Sequence, residues 1–354
     1  MNTSISTSHK RHSSPKRIAV VIPAYNIDSY LRECLESLQN QSYGDFIAYI
    51  VDDGSTDNTR HIADYFSETD SRFQVFHKQN KGVASARNFA LDQIAQAGHF
   101  AAIAFLDGDD KLNLDCFLQA INAMVREDVD CVFFGYRVFD KSGYLPHEEY
   151  SPSERTLKNT TEIYDLFFNC YPLENQKARW FLSNKLFRAE CVANTRFCED
   201  MRRGEDVRFF IDLRSNLRSL TVIPDTLLEY RLRKSSLSHG SLNVLSDLKF
   251  YSDLILNQSN KFTPAQTCII KSTLLNIWRK SLIFTFSQSQ NKKDVRFLVD
   301  ISKKLYRANI LTGFKNKKRL MYLLLGNAYM YWWSSYQYHK INKKIISDQK
   351  MYFD

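Results

Sequence analysis

The sequence lacks an apolar run of the roughly 18 residues that a membrane-spanning helix needs, so no segment is predicted to cross a bilayer. Residues 1–17 contain no acid and no apolar core, which excludes a secretory signal and predicts a disordered basic tail. The seven cysteines include no C-x-x-C pair, which argues against a disulfide framework or a zinc site. This cysteine usage favours a reducing compartment, so we expect a cytoplasmic protein.

The eleven glycines form neither the G-x-G-x-x-G dinucleotide fingerprint nor the P-loop pattern, so any phosphate must be held in another way. The length of 354 residues predicts one large domain with an appendage, or two domains. The net charge of +9 favours anionic partners, which could be nucleic acid, membrane phospholipid or a phosphorylated substrate. No basic and aromatic motif of a known base-stacking module is present, so nucleic acid is not an expected partner.

Short apolar runs alternate with helical patterns through the first 110 residues. This alternation predicts right-handed βαβ units and a parallel sheet, whose ligands bind beyond the carboxyl ends of the strands. The predicted strands cover residues 18–22, 46–51, 73–76 and 101–106. The loops expected at the binding edge are residues 23–25, 52–53, 81–87 and 107–110.

The pattern after residue 110 is less regular, and its elements are predicted one by one. We expect a strand at 130–136, a polar loop at 140–160, a helix at 161–170, a hairpin from 220–223 and 227–231, and helices after about residue 243.

Three carboxylates, Asp107, Asp109 and Asp110, follow the apolar strand that ends at Leu106. Acids this close repel one another in a low-dielectric setting, so they need open water or a cation. Mg²⁺ or Mn²⁺ held by one or two carboxylates and by substrate phosphates would satisfy them. The alternative is a solvated Asp-Gly turn without a ligand.

Six motifs together resemble glycosyltransferase family 2 enzymes of the GT-A fold, and they occur in the family's order. The motifs are VVIPAYN (20–26), VDDGSTD (51–57), NKGVASARN (80–88), FLDGDD (105–110), GED (204–206) and YRLRKSSLSH (230–239). The resemblance implies an α/β nucleotide-binding domain with a mostly parallel central sheet at residues 18–240, with a donor half (18–110) and an acceptor half (111–240). A helical extension at 241–354 lies beyond it.

The resemblance also implies roles in binding a nucleotide-sugar donor. Asp52 or Asp53 would accept the imide N–H of the base; alternatively, the pair only forms a turn and caps a helix. Asp107 would contact ribose or share the metal, and Asp109 would bind the metal. Arg87 would reach a phosphate, or would otherwise be a surface arginine. The remaining expected donor-site residues are Pro23, Ala24, Tyr25, Gly108, Glu205, Arg231 and Arg233.

Transfer to a sugar hydroxyl needs a base, because a neutral alcohol is a poor nucleophile. The family resemblance assigns this role to Asp206, although Glu199 and Asp200 form a second acidic pair that must be weighed. His239 is a further candidate metal ligand, and a basic solvated loop is the alternative for the segment around it. Attack opposite the leaving group would invert the anomeric carbon.

Residues 314–347 contain no acid, seven Lys or Arg and eight aromatic residues. This composition fits an interfacial helix on an anionic membrane, or a helix packed on the catalytic domain or in an oligomer. A membrane contact would make the protein peripheral on the inner face of the cytoplasmic membrane.

The expected function is inverting, Mn²⁺- or Mg²⁺-dependent transfer of a hexosyl or N-acetylhexosaminyl group from a nucleotide sugar, most simply a UDP-sugar. The acceptor would be a saccharide or lipid-linked saccharide in capsule or lipopolysaccharide assembly. The alternatives are a sugar nucleotidyltransferase, which would need a Gly-rich phosphate loop, and a non-catalytic binder, which would be expected to lose Asp109 or Asp206.

Overall fold

The computed structural model describes residues 17–98, 100–168, 181–201, 204–233 and 244–264, a subset of positions between 266 and 281, and residues 292–308 and 310. The chain divides into two compact units, residues 1–240 and 241–354. Residues 1–16 of the predicted tail and residues 314–347 lie outside the described residues. Arg17 is described, and its carbonyl accepts the N–H of Ala101 at 2.9 Å.

The described part of the first unit contains one mixed sheet of ten strands. The strands are β1 Ile18–Ala24, β2 Phe46–Asp52, β3 Phe73–His77, β4 Ala102–Phe105, β5 Lys111–Leu112, β6 Cys131–Asp140, β7 Gly143–Tyr150, β8 Arg155–Leu157, β9 Lys185–Arg188 and β10 Leu220–Arg231. Seven α-helices accompany them in the described residues of this unit. They are α1 Asp28–Gln39, α2 Thr59–Thr69, α3 Val83–Ala97, α4 Cys116–Glu127, α5 Thr160–Phe168, α6 Ala189–Val192 and α7 Glu205–Asp212.

The sheet order is β3-β2-β1-β4-β9-β6-β10-β5, with β7 beside β6 and β8 beside β10. Strands β1 to β4 pair in parallel, whereas β9 runs antiparallel between β4 and β6. Because α1, α2 and α3 connect the parallel strands, the loops after β1, β2 and β4 meet at one edge of the sheet. The predicted α/β architecture is therefore confirmed, with parallel pairing among the first four strands and between β6 and β10.

The central strand β1 is buried because its sequence is continuously apolar. Every side chain from Ile18 to Ile22 in β1 is fully buried, as expected for a strand covered on both faces. Helix α1 covers the sheet with residues three or four positions apart, which places them on one helix face. These buried residues are Leu31, Cys34, Leu35 and Leu38.

Strand β1 is longer than the sequence predicts, because it includes Pro23. Its ladder with β4 ends where Val21 pairs with Phe105, so the absent N–H of Pro23 leaves no bond to β4 unmade. On the other side, Pro23 lies opposite Val51 of β2.

Two predictions for the later strands are wrong. Residues 220–231 form one twelve-residue strand, β10, rather than a hairpin, and register shifts between Val222 and Leu228 absorb the irregular middle. The expected loop at 140–160 contains β7 and β8. Strand β7 pairs only with β6 in the described sheet, and such an edge strand tolerates its internal proline.

The second unit is helical in its described part, with α8 Val244–Asn257 and α9 Lys292–Arg307. Buried Trp278 donates its indole N–H to Ser302 of α9 at 2.8 Å, which satisfies a polar group inside an apolar core. Among the described residues, no helix combines the length and apolar character that a membrane crossing requires.

Candidate active site

The end of β1 and the end of β2 meet where the base pocket is predicted. The N–H of Asp53 donates to the carbonyl of Ala24 at 2.8 Å. Tyr25 follows directly and is 48% exposed, so its ring is available to a ligand. The structure thus brings Pro23, Ala24 and Tyr25 beside Asp53, although the prediction that they contact a base stays a prediction.

The carboxylate of Asp53 is buried and held by the start of α3. It accepts the backbone N–H groups of Lys81 at 3.0 Å and Gly82 at 2.7 Å, and the ammonium of Lys78 also bonds to it. Gly82 has a φ of +93°, a conformation that glycine adopts readily. This turn therefore directs successive N–H groups at one carboxylate.

Asp52 is equally buried and bonds to different partners. One of its oxygens accepts the N–H of Ser55 at 2.9 Å, and the other lies 3.0 Å from Nδ1 of His77. The opposite ring nitrogen of His77 lies 2.8 Å from Asp64. Both candidate acids are therefore already hydrogen-bonded within the protein. That one of them accepts the imide N–H of the nucleobase stays a prediction.

The acidic turn after β4 packs against the end of β1. A Cβ added at Gly108 would lie 2.5 Å from Cδ1 of Ile27 and 3.3 Å from the carbonyl oxygen of Pro23. A larger residue would therefore push the turn away from β1, so glycine at this position serves close packing as well as any donor contact.

The three acids of this turn have distinct partners. Asp107 pairs with Arg87 at 2.8 Å, and Asp109 pairs with Arg233 at 2.6 Å. Asp110 is almost fully buried and accepts the backbone N–H of Arg231 at 2.9 Å. Asp110 thus fixes β10 to the turn, as a supporting residue would.

Burial raises the pKa of Asp109, and the negative charge of Asp107 raises it further. Burial also raises the pKa of Asp110 well above its ordinary value, with added repulsion from Asp109 and Asp107. This electrostatic strain is what a bound cation would relieve.

The donor set of the turn suits a divalent cation that phosphates help to hold. Among the described residues, no group of three or more His, Cys, Asp or Glu side chains is arranged as a complete metal site. Mg²⁺ and Mn²⁺ need only one or two carboxylates when substrate phosphates fill the shell. Asp109 and Asp107 supply such hard oxygen ligands and therefore fit, whereas His239 lies outside the described residues.

Arg87 connects the acidic turn to Glu205, the neighbour of the predicted catalytic base Asp206. Its guanidinium, on α3, is buried and bonds to Asp107 at 2.8 Å and to Glu205 at 2.9 Å. Paired carboxylates hold such a fork strongly. Two sequence-distant motifs are thereby joined through one side chain, while the predicted phosphate contact of Arg87 stays a prediction.

Helix α7 begins at Glu205, directly after Gly204, whose φ is +74°. Asp206 accepts the N–H of Val207 at 2.7 Å. Burial raises the pKa of Asp206 to about 7, with repulsion from Glu205 added, although the Val207 N–H and the charge of Arg87 act in the opposite direction. A carboxyl group that titrates near neutral pH has the property expected of a general base.

In the competing acidic pair, Glu199 has a partner inside the protein. Glu199 accepts the side-chain N–H of Asn88 at 3.0 Å, and Asn88 also exchanges hydrogen bonds with the backbone of Phe197. Glu199 and Asp200 are both exposed. The structure thus connects Asp206, rather than this pair, to the acidic turn through Glu205 and Arg87.

Several residues of this region were not predicted from the sequence. Glu33 of α1 accepts the guanidinium of Arg231 at 2.8 Å, and the Nε of Arg231 donates to the carbonyl of Asp109. Tyr30 lies beneath Arg231 and Arg233, with guanidinium-to-ring distances of 5.1 and 5.4 Å. No local signal identifies Glu33 or Tyr30, because their partners are about 200 residues away.

Buried Lys185 was also missed. The sequence signal is weak, because Lys185 lies between Asn184 and only two apolar residues, Leu186 and Phe187.

Comparison with known proteins supports the predicted family. The model described as glycosyl transferase family 2 matches residues 19–180. "Uncharacterized glycosyltransferase EpsJ" of Bacillus subtilis is 27% identical over 225 residues, 62% of this chain and 62% of that protein. "Putative teichuronic acid biosynthesis glycosyltransferase TuaG" of the same organism is 33% identical over 149 residues, 40% of this chain and 58% of that protein. The chain thus spans less than two thirds of the length of these curated relatives.

Among solved structures, S. aureus TarS (residues 1–349) in complex with UDP-GlcNAc has a TM-score of 0.62 and 19% sequence identity. The match covers 87% of each chain, which supports the fold. The predicted GT-A fold is confirmed, and residues 19–180 match glycosyl transferase family 2, the family that the sequence motifs predicted.

Proposed function

We propose that the protein is an inverting glycosyltransferase that moves a sugar from a nucleotide diphosphate sugar, most simply a UDP-sugar, to the hydroxyl of an acceptor. The observation that carries this proposal is the Arg87 bridge, which joins Asp107 of the acidic turn to Glu205, next to Asp206. This bridge supports the proposal, because it links the predicted donor-binding edge to the residue next to the predicted catalytic base. A binder without catalysis would have no need for a base there.

The donor half is assigned to residues 18–110. Tyr25 would lie against the base, and the carboxylate of Asp53 or Asp52 would accept its imide N–H. The guanidinium groups of Arg231 and Arg233, which both bond to Asp109, would also donate hydrogen bonds to the oxygens of the diphosphate. A divalent cation held by Asp109 and Asp107 would neutralise charge on the departing diphosphate.

The acceptor half is assigned to residues 111–240. Asp206 would accept the proton of the acceptor hydroxyl while the hydroxyl oxygen attacks the anomeric carbon from the face opposite the diphosphate. The C–O bond to the new sugar forms as the bond to the donor phosphate breaks, so the anomeric configuration inverts. The pKa of about 7 means that a large fraction of Asp206 is ionised at neutral pH while still basic enough to take a proton.

The acceptor is proposed to be a saccharide or lipid-linked saccharide of a cell-surface polysaccharide. TuaG is described with teichuronic acid biosynthesis, and TarS was solved with UDP-GlcNAc, so a hexosyl or N-acetylhexosaminyl group is the proposed cargo. The five described cysteines are free thiols, as expected in the cytoplasm. Residues 314–347 would attach the enzyme to the inner face of the cytoplasmic membrane.

A panel of nucleotide sugars tests the proposal. We expect one UDP-sugar to bind in the presence of Mn²⁺ or Mg²⁺ and to release UDP, slowly with water and faster with an acceptor. The anomeric configuration of the product, measured by NMR coupling constants, should be opposite to that of the donor. Pyrophosphate-dependent formation of sugar 1-phosphate would instead favour a nucleotidyltransferase, and binding without any turnover would favour a non-catalytic binder.

A further inference from the structure

Tyr30, in the first turn of α1, is half-buried and lies against two arginines of the binding edge. Its ring centroid is 5.1 Å from the guanidinium carbon of Arg231 and 5.4 Å from that of Arg233. Rings at these distances attract a cation through their π faces. Ile27, the residue before α1, is the one that a Cβ added at Gly108 would contact, so α1 begins beside the acidic turn.

Arg231 is almost fully buried and is held by several contacts. Its Nε donates to the carbonyl of Asp109 at 2.8 Å, and its guanidinium also bonds to Glu33 at 2.8 Å. The ring centroid of Phe139 lies 4.3 Å from the same guanidinium carbon. Arg231 would therefore keep its position without Tyr30.

Arg233 depends on fewer described contacts. It lies two residues after the end of β10, and its described partners are the carboxylate of Asp109 at 2.6 Å and the ring of Tyr30. Its side chain is 19% exposed, against 8% for Arg231, so Arg233 is the better placed of the two to meet a ligand. If Asp109 gives its oxygen to a divalent cation, Tyr30 remains as the described support of the Arg233 guanidinium.

An aromatic ring suits this task better than a carboxylate. A carboxylate would occupy the N–H donors of the guanidinium and would repel a diphosphate. A ring attracts the cation without accepting those N–H groups, and it carries no net charge. The guanidinium can thus stay beside the acidic turn while its donors remain available to phosphate oxygens.

We propose that Tyr30 is a positioning residue for the donor diphosphate, whose ring holds the guanidinium of Arg233 at the edge where the phosphates bind. This inference rests on the proposed function, because it takes the acidic turn as the diphosphate site. It predicts that Tyr30 contributes to binding only when the ligand carries phosphate.

Binding of UDP and of uridine, measured by calorimetry with Mn²⁺ present, tests the role of Tyr30. Tyr30→Leu keeps an apolar side chain and removes the ring, so the dissociation constant of UDP should rise about tenfold. The dissociation constant of uridine, which has no phosphate, should change little. Tyr30→Phe keeps the π face and should bind UDP like the wild-type protein.

Tyr65→Leu is the matched control, because Tyr65 on α2 also lies 5.4 Å from a guanidinium carbon, that of Arg32. Both of these residues are exposed. The neighbouring Phe66 packs on Phe73 at the start of β3, which is the end of the strand away from the binding edge. This variant should leave both dissociation constants unchanged.

Two results for a folded Tyr30→Leu protein would overturn the proposal. One is wild-type affinity for UDP, and the other is an equal loss of affinity for UDP and uridine, which would indicate a general structural role. If Tyr30→Leu does not fold, wild-type UDP affinity in Tyr30→Gln overturns the proposal equally. A wild-type protein that binds no nucleoside diphosphate would instead refute the proposed function on which this role rests.

Discussion

Replacing Asp206 with asparagine is expected to stabilise the folded protein while it stops transfer. Burial and the charge of Glu205 raise the pKa of Asp206, so the ionised form is disfavoured in the folded state. Asparagine has nearly the same shape, can still accept the N–H of Val207 and carries no charge. The aspartate that catalysis needs therefore lowers the stability of the folded protein relative to asparagine.

The magnitude follows from the two pKa values. A rise from 3.8 in the unfolded chain to about 7 in the folded protein corresponds to about 4 kcal/mol of lost stability above pH 7. Since Asp206 keeps some contact with solvent, we expect about 2 kcal/mol in practice. The folded state binds the proton more tightly, so wild-type stability falls as pH rises from about 4 to 7. Below pH 4 both states are protonated, and the advantage of asparagine should disappear.

Thermal unfolding of both proteins at pH 5 and pH 8 measures this effect. About 2 kcal/mol corresponds to a rise in Tm of roughly 4–8 °C for a unit of this size, and the rise should be clearly larger at pH 8 than at pH 5. Asp200→Asn, a change at an exposed acid of the competing pair, should alter neither Tm nor transfer. Equal Tm differences at the two pH values would refute the electrostatic argument.

Three other changes test separate parts of the account. Asp109→Ala should weaken metal affinity by at least about 100-fold and abolish metal-dependent donor binding with the fold intact by circular dichroism; undiminished binding would contradict the ligand assignment. Gly54→Ala should lower stability by about 2 kcal/mol, because Gly54 has a φ of +76° and an added Cβ would lie 2.9 Å from the backbone nitrogen of Asn80; an unchanged Tm would contradict this. Removing residues 314–354 should abolish salt-sensitive co-sedimentation with anionic liposomes and preserve donor binding; a full-length protein indifferent to lipid would favour the packing interpretation.

The sequence predicts the binding edge well because each part of it is encoded locally. An apolar run predicts a buried strand, and the polar residues that follow it must lie at the strand end. Asp52, Asp53 and the turn from Asp107 to Asp110 therefore occur at the sheet edge where they were expected. Family resemblance added the order of the motifs, which local patterns alone do not interpret.

Features that depend on tertiary pairing were not predicted. The single strand β10 appears as two runs in the sequence because its bulges interrupt the alternation, and only pairing with β6 makes it continuous. The phosphate contact of Arg87 stays a prediction, but its bonds to acids 20 and 118 residues away were not predicted. The burial of Lys185 depends on rings from β6, α5 and α7 that are distant in sequence.

The central claim is that Asp206 acts as the base in transfer from a nucleotide sugar. The most direct measurement compares wild-type protein and Asp206→Asn in one assay, with donor affinity by calorimetry and UDP release in the presence of Mn²⁺ and acceptor. We predict similar donor affinity in both proteins and a loss of transfer of about 10²–10⁴-fold in the variant. Transfer at the wild-type rate by Asp206→Asn would contradict the claim.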